Sequence, residues 1–373
     1  MKSHVTFIGG TGSGKTTAAL NVIEQLLERG VSALLLDRKG DLARYASEAW
    51  WREEPRRAAL RNQIDIELYT PGNSAGRPLR LPLIPSLVDT SAQERSVVAQ
   101  YAANGLGAMM GYGTSSNDKS KLSVLQVAIG IHTEERDVTL DVLLDTIDRP
   151  DPELLQKVGS LQRHFATLSE NLQALRIQRG ALLTGDGPML DVARLLPVGG
   201  KAKLSIINTA ALSDVPMLQF WVSRLLIELS RLARKRPSKT LQGVAFFDEA
   251  DAYVPAIGAP ATKEPMFDLL RRARSGGLGV LLATQNPGDF DYKARDNIAT
   301  WLVGKVAQTR AIEKMRNLIG AYPNVGPRLA NQPTGHFFVL ADSKAIEVKS
   351  DRSMMQTEQL SESEVLELAR PTT

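Results

Sequence analysis

Two rhythms of apolar residues alternate along this chain. Short unbroken runs at 4–8, 31–36, 203–208, 243–247 and 279–284 have the length and content of buried strands. Continuous apolar strands of this kind belong to a parallel sheet covered by helices on both faces. Between them, residues 17–29 carry apolar side chains at 19, 20, 22, 23, 26 and 27, the spacing of one helical face, and Gly30 supplies the stop. Residues 216–234 repeat that pattern from Leu218 and Trp221 to Leu232. Shorter runs at 64–69, 301–306 and 337–341 predict further strands, and 41–61, 266–274 and 358–370 predict helices. The expected fold is α/β, with a mostly parallel central sheet flanked by helices.

From about residue 85 to 183 strand signals vanish and helical spacing takes over. Leu154, Val158, Leu161, Phe165, Leu168, Leu172 and Leu175 follow a 4-3 repeat for three heptads, which predicts one long helix with a narrow apolar seam. Packing inside a helical insertion is the simpler use of that seam, an intermolecular coiled coil the other. Residues 105–120, rich in Gly, Ser and Asn, read as a mobile loop. The expected organisation is a core of residues 1–84 and 200–373 interrupted by an all-α insertion at 85–199.

Chemistry enters directly after the first strand. Residues 9–16, Gly-Gly-Thr-Gly-Ser-Gly-Lys-Thr, match the phosphate-loop pattern G-x-x-x-x-G-K-[ST] without mismatch. Strand, glycine loop and helix follow in the order that makes the motif credible. Gly10, Thr11, Gly12, Ser13, Gly14, Lys15, Thr16 and Thr17 are therefore expected to cradle the phosphates of ATP. Lys15 would reach the β- and γ-phosphates, and Thr16 would ligate Mg²⁺. The second strand ends at Asp37, placed by its position on the ligand-facing rim or in a loop salt bridge. The strand at 243–247 runs into Asp248 and Glu249. Asp248 is expected in the Mg²⁺ shell, and Glu249 as the base that polarises the attacking water. Gln285, at the end of the strand at 279–284, sits where an amide can sense a terminal phosphate. Arg271 and Arg274 could supply transition-state charge, in cis or from a neighbouring subunit, or could form a solvated helix end.

Composition narrows the field. Apolar residues make up 43% of 373, enough for a sizeable core. A formal charge of +4 permits a nucleic-acid partner without arguing for one. The basic cluster Arg231, Arg234, Lys235, Arg236 and Lys239 could touch nucleic acid, but cations at a helix C-terminus are ordinary capping chemistry. There is no cysteine, which excludes disulfides, thiolate catalysis and cysteine zinc sites. No apolar run approaches the ~20 residues that span a bilayer. The first strand begins at once, leaving no room for a signal peptide, so the expected location is the cytoplasm.

With these pieces in order, the chain resembles the HerA–FtsK superfamily of ring-forming ATPases, HerA-like proteins most closely. The resemblance lies in residues 9–16, in Asp37-Arg38-Lys39-Gly40-Asp41, in Phe246-Phe247-Asp248-Glu249-Ala250, and in the stretch from Arg274-Ser275-Gly276-Gly277 to Ala283-Thr284-Gln285. It implies a RecA-like P-loop core, assembly as a homo-hexamer, and movement of double-stranded DNA through a central pore. It further implies Arg274, then Arg271, as a finger acting in trans, Gln285 as sensor, and a nuclease or other effector as partner. HerA relatives usually carry a β-rich domain ahead of the phosphate loop, which here begins at residue 9. Loops that touch DNA would by this analogy line the pore, with residues 105–120 and 253–265 as candidates by mobility alone. The main expectation is an ATP-driven DNA translocase or helicase. An ATPase of conjugation or type IV secretion is the alternative, and a nucleotide-gated assembly protein a third, disfavoured by Glu249.

Overall fold

The computed structural model describes residues 4–52, 55–81, 90–132, 138–184, 187–212, 214–356 and 359–370. Nine strands form one sheet: β1 (His4–Ile8), β2 (Ser32–Asp37), β3 (Ile64–Tyr69), β4 (Ala202–Asn208), β5 (Ser238–Phe247), β6 (Gly276–Thr284), β7 (Ile298–Val303), β8 (His336–Ala341) and β9 (Lys344–Lys349). Their order is β3-β4-β2-β5-β6-β1-β7-β8-β9. Every pairing from β3 through β7 is parallel, and β8 and β9 close the sheet as an antiparallel hairpin. The helices are α1 (Lys15–Leu27), α2 (Pro55–Gln63), α3 (Ala92–Met109), α4 (Ser116–His132), α5 (Leu140–Asp148), α6 (Pro152–Val158), α7 (Phe165–Thr184), α8 (Val192–Leu195), α9 (Val215–Lys235), α10 (Lys263–Arg272), α11 (Thr309–Lys314), α12 (Arg316–Ile319) and α13 (Glu362–Ala369).

Because side chains alternate across a strand, each central strand feeds two cores. Val5 and Phe7 of β1, Leu35 of β2 and Phe246 of β5 pack with Ala19 and Ile23 of α1 on one face. Ile8, Leu36, Phe247 and Leu282 point the other way, onto Trp221 and Leu225 of α9 and Leu269 of α10. All residues of β1, β2, β4 and β6 are buried, which is why these strands read as unbroken apolar runs. The edge strand β9 is the reverse, almost wholly exposed, with a lysine at each end that discourages pairing with another chain.

The helices α3 to α7 make a separate core of Leu106, Leu125, Ile129, Leu143 and Leu172, joined to the sheet domain by Phe220 of α9. Short α8 instead packs its Val192 and Leu195 into the sheet core. The expected boundary at 84/85 lies outside the described residues.

Three expectations need correction. Residues 105–120 are a loop only at 110–115: α3 continues to Met109 and α4 starts at Ser116, since Leu106 has a buried seat that outweighs the weak helix propensity of its glycine neighbours. The heptad seam is not one helix. Gly159 (φ 53°) ends α6, and the 3-10 turn Gly159–His164 precedes α7. Leu154, Val158, Leu168, Leu172 and Leu175 nonetheless all enter the helical core, so the seam serves intramolecular packing. Residues 41–61 form two 3-10 turns, Ala43–Ala46 and Glu48–Trp50, before α2 rather than a single helix.

Candidate nucleotide-hydrolysis site

Three adjacent strands set the site, because β6 lies between β1 and β5. Their carboxyl ends therefore bring the 9–16 loop, Gln285 and the Asp248-Glu249 pair to one rim. Within the loop Gly12 (φ 75°) and Gly14 (φ 88°) are left-handed, a conformation that favours glycine. Gly14 is doubly constrained, since an added Cβ would lie 3.2 Å from the Gly335 nitrogen.

Distant chain holds the loop from outside. Gly10 N–H donates to the Lys305 carbonyl (2.8 Å), Gly335 N–H donates to the Ser13 carbonyl (3.0 Å), and the Thr334 hydroxyl donates to the Gly12 carbonyl (3.2 Å). With those carbonyls engaged outside, the remaining N–H groups are free for an anion. Lys15 is buried without an ion-pair partner among the described residues, and burial holds its pKa below the ordinary lysine value against the pull of Asp248. Ser13 Oγ is buried with no partner among the described residues. A concave loop with an unpaired buried cation and hydroxyl is suited to a phosphate chain. Thr16 and Thr17, both half-buried, open α1 beneath it.

Asp248 is buried, and one of its oxygens accepts the Glu249 N–H at 2.9 Å. Burial, then the charge of Asp41, push its pKa up to about 6. No cluster of three or more histidine or acidic side chains able to hold a metal occurs among the described residues. The donor set of Asp248 and the Thr16 hydroxyl fits Mg²⁺, which keeps waters and phosphate oxygens among its ligands.

Glu249 has a left-handed backbone (φ 52°, ψ 46°), which costs a non-glycine residue about 1–2 kcal/mol and turns its side chain back over the rim. Its carboxylate pairs with Lys39 (2.7 Å) and Arg38 (3.7 Å) and accepts a hydrogen bond from Gln285 Nε2 (3.2 Å). Burial works against the Lys39 charge, yet the Glu249 bond keeps its pKa above the ordinary value. Gln285 Oε1 in turn accepts from the Thr11 hydroxyl (3.3 Å). One amide thus ties the phosphate loop to the carboxylate.

The first 53 residues match the family model for the type IV secretion-system coupling protein DNA-binding domain. Among solved structures, VirB4 of Thermoanaerobacter pseudethanolicus is 14% identical, with 93% of this chain and 89% of that chain covered and a TM-score of 0.61. The plasmid coupling protein TrwB in complex with ADP and Mg²⁺ is 13% identical, covering 95% and 87%, with a TM-score of 0.61. TrwB with a non-hydrolysable ATP analogue is 12% identical, covering 96% and 87%, at the same score. No curated protein matches the sequence. The chain has the P-loop NTPase fold of TrwB and VirB4. These likenesses are to coupling and secretion proteins; HerA-like kinship rests on the motifs alone.

On this TrwB-like sheet three expected site residues fall elsewhere. Asp37 is fully buried and faces its own loop, not the rim: its carboxylate accepts from Lys39 N (3.2 Å), Gly40 N (2.9 Å), Ala43 N (3.0 Å) and Asn208 Nδ2 (3.1 Å). It shapes the turn that delivers Arg38 and Lys39. Arg274 precedes β6, at the amino edge of the sheet, near buried His4 at the start of β1. The phosphate loop follows the far end of β1, so neither Arg274 nor Arg271 can serve the loop of its own chain. The basic cluster at the end of α9 is partly consumed by pairing, Arg234 with Glu94 and Arg231 with Glu228 (3.1 Å).

Lys39, Asp251 and Thr334 belong to the site and were not expected there. Asp251 accepts from the Thr284 hydroxyl (2.7 Å) and lies 3.4 Å from Asn286 Nδ2, fastening the turn after Glu249 to the segment after β6. Lys39, beside Asp37 in Asp-Arg-Lys-Gly-Asp, had a visible signal; Thr334 had none. Among the described residues no helix is long and apolar enough to cross a membrane.

Proposed function

We propose that this chain is an Mg²⁺-dependent ATPase and the motor subunit of a DNA-transfer machine of coupling-protein type, acting in conjugation or type IV secretion. The observation that carries the hydrolase reading is the continuous Thr11–Gln285–Glu249 connection, which links the terminal-phosphate end of the loop to a general base. Glycine N–H groups and Lys15 hold the phosphates, and Thr16 and Asp248 hold the cation. Mg²⁺ would offset charge on the β- and γ-phosphates. Glu249, released from Lys39, takes the proton of an in-line water, and Gln285 orients that water against Thr11. The DNA part of the reading draws on the match of the first 53 residues.

A ring of identical subunits, six by analogy with the resembled motors, supplies what one chain lacks, since the arginines stand on the opposite edge. The HerA-like version, a cytoplasmic DNA translocase with a nuclease partner, is favoured only by the Arg274-to-Gln285 motif. The test is ATP hydrolysis with and without linear duplex DNA, on protein whose solution mass is recorded in the same buffer. Stimulation of a hexamer-sized species is expected. Absence of hydrolysis under both conditions would overturn the reading.

A further inference from the structure

Beside the phosphate loop the rim opens into a second cleft of about 400 Å³, walled by Gln285 and Asn286 on one side and by Lys305, Arg310 and Lys314 on the other. We propose that this cleft binds the phosphate backbone of nucleic acid and reports its presence to Glu249; this rests on the hydrolase reading above. Charge is the first support. The lining carries three cations, Lys305, Arg310 and Lys314, against one acid, Asp289. Lys305 and Arg310 are exposed with no ion-pair partner among the described residues, so nothing within the fold consumes their charge. Lys314 hangs over the cleft, donating to the Gly288 carbonyl (3.0 Å) beside Asp289 (3.6 Å).

Nucleotide does not compete for this space. The cleft touches the loop at Gly10 and Thr11 and not at Lys15, Thr16 or Thr17. Glu249 and Gln285 mark the terminal phosphate, so the nucleoside leaves from the other end of the loop, over the first turn of α1. A second polyanion then has the cations to itself. Its signal has a short path: the wall it meets, Gln285-Asn286, is bonded to Glu249 and to Asp251. Pulling that wall toward Arg310 moves the amide that positions the base.

The test uses a labelled linear duplex and the full chain, with binding followed by anisotropy across a salt series. Each cation that neutralises a phosphate steepens the slope of log K against log salt by about 0.9, so removing one flattens it by that amount. Arg310→Ala is expected to flatten the slope by about one such step, Arg310→Ala/Lys314→Ala by about two, and Arg310→Glu to weaken binding further. Thermal unfolding of each variant checks that the fold is kept. DNA-stimulated turnover of the Arg310 variants should fall toward the basal rate, with basal ATPase unchanged. A native salt slope in the double variant overturns the proposal, as does loss of ATP affinity in place of DNA affinity. A native protein that binds duplex through Arg310 yet hydrolyses no ATP would sink the hydrolase reading and leave the cleft standing.

Discussion

The two edges of the sheet are chemically unlike. At the carboxyl edge a phosphate loop, two acids, an amide and Lys39 converge within hydrogen-bonding distance of one another. At the amino edge Arg271 and Arg274 line an open cleft of about 570 Å³ beside Lys239, with no reacting group in reach. One edge has the groups for water attack, with Lys39 and Arg38 held by Glu249 and Lys305 and Arg310 in the side cleft, but not the arginine that the resembled motors present in trans. The other has that cation and nothing to aim it at. On the proposed ring, the amino edge of one copy would meet the carboxyl edge of the next, head to tail.

The largest effect should come from Arg274→Ala, with ATP turnover falling about 10³-fold or more and ATP affinity kept. Mixed with Glu249→Gln protein it should regain activity, because some interfaces then pair a native base with a native arginine. Assembled mixtures that stay inert would break the comparison between the edges. Glu249→Gln alone should lose about 10²–10⁴-fold while nucleotide binding persists; equal turnover would remove Glu249 from the role of base.

A pH profile sharpens the contrast. Asp248 must be ionised to hold Mg²⁺, and without the cation its pKa is raised to about 6, so Mg²⁺ affinity should weaken as pH falls below that value, and added Mg²⁺ should restore turnover. The amino edge should be silent over the same range. There His4 Nε2 donates to the Leu270 carbonyl (2.9 Å), His4 Nδ1 accepts from Val280 (3.0 Å), and burial lowers the ring's pKa to about 4. An Mg²⁺ affinity that stays the same between pH 5 and 7 would contradict the assignment of Asp248.

The smallest effect concerns stability. Glu24 of α1 is fully buried, accepting from the Tyr45 hydroxyl (2.7 Å) and Met354 N–H (2.9 Å), and burial raises its pKa from 4.5 to about 7. A carboxyl with a raised native pKa stabilises the fold below its unfolded value, and that contribution is lost as pH rises through the native one. About 3 kcal/mol should therefore disappear between pH 4.5 and 7. Denaturation midpoints should fall further over this range in the native chain than in Glu24→Gln, which keeps the raised carboxyl of Asp248.

Much of the carboxyl edge is legible in the sequence because its parts are local. The 9–16 loop announces itself by glycine spacing, and Asp248-Glu249 and Gln285 by following buried strands. What was hidden is non-local or unmarked by pattern. Asp37 looked like a rim acid because it ends a strand; only the position of Asn208 on neighbouring β4 and the turn of its own loop show its oxygens are spent. The chemistry of β9 is hidden differently: its exposed, lysine-flanked residues carry no apolar rhythm. In the insertion, seam spacing identified the buried leucines but not the break at Gly159, which depends on a single positive φ.

The phosphate loop's outer braces also fix an order of events in the life of the chain. The Thr334 hydroxyl bonds to Gly12 across 322 residues, and Lys305 and Gly335 reach back almost as far. During synthesis the loop leaves the ribosome well before the segments that brace it. Contacts of such separation form late in folding, after long loop closures have been met. A nascent chain thus carries the motif without the frame that makes it a binding site until residues 305 and 334–335 have emerged, and cannot spend nucleotide before then.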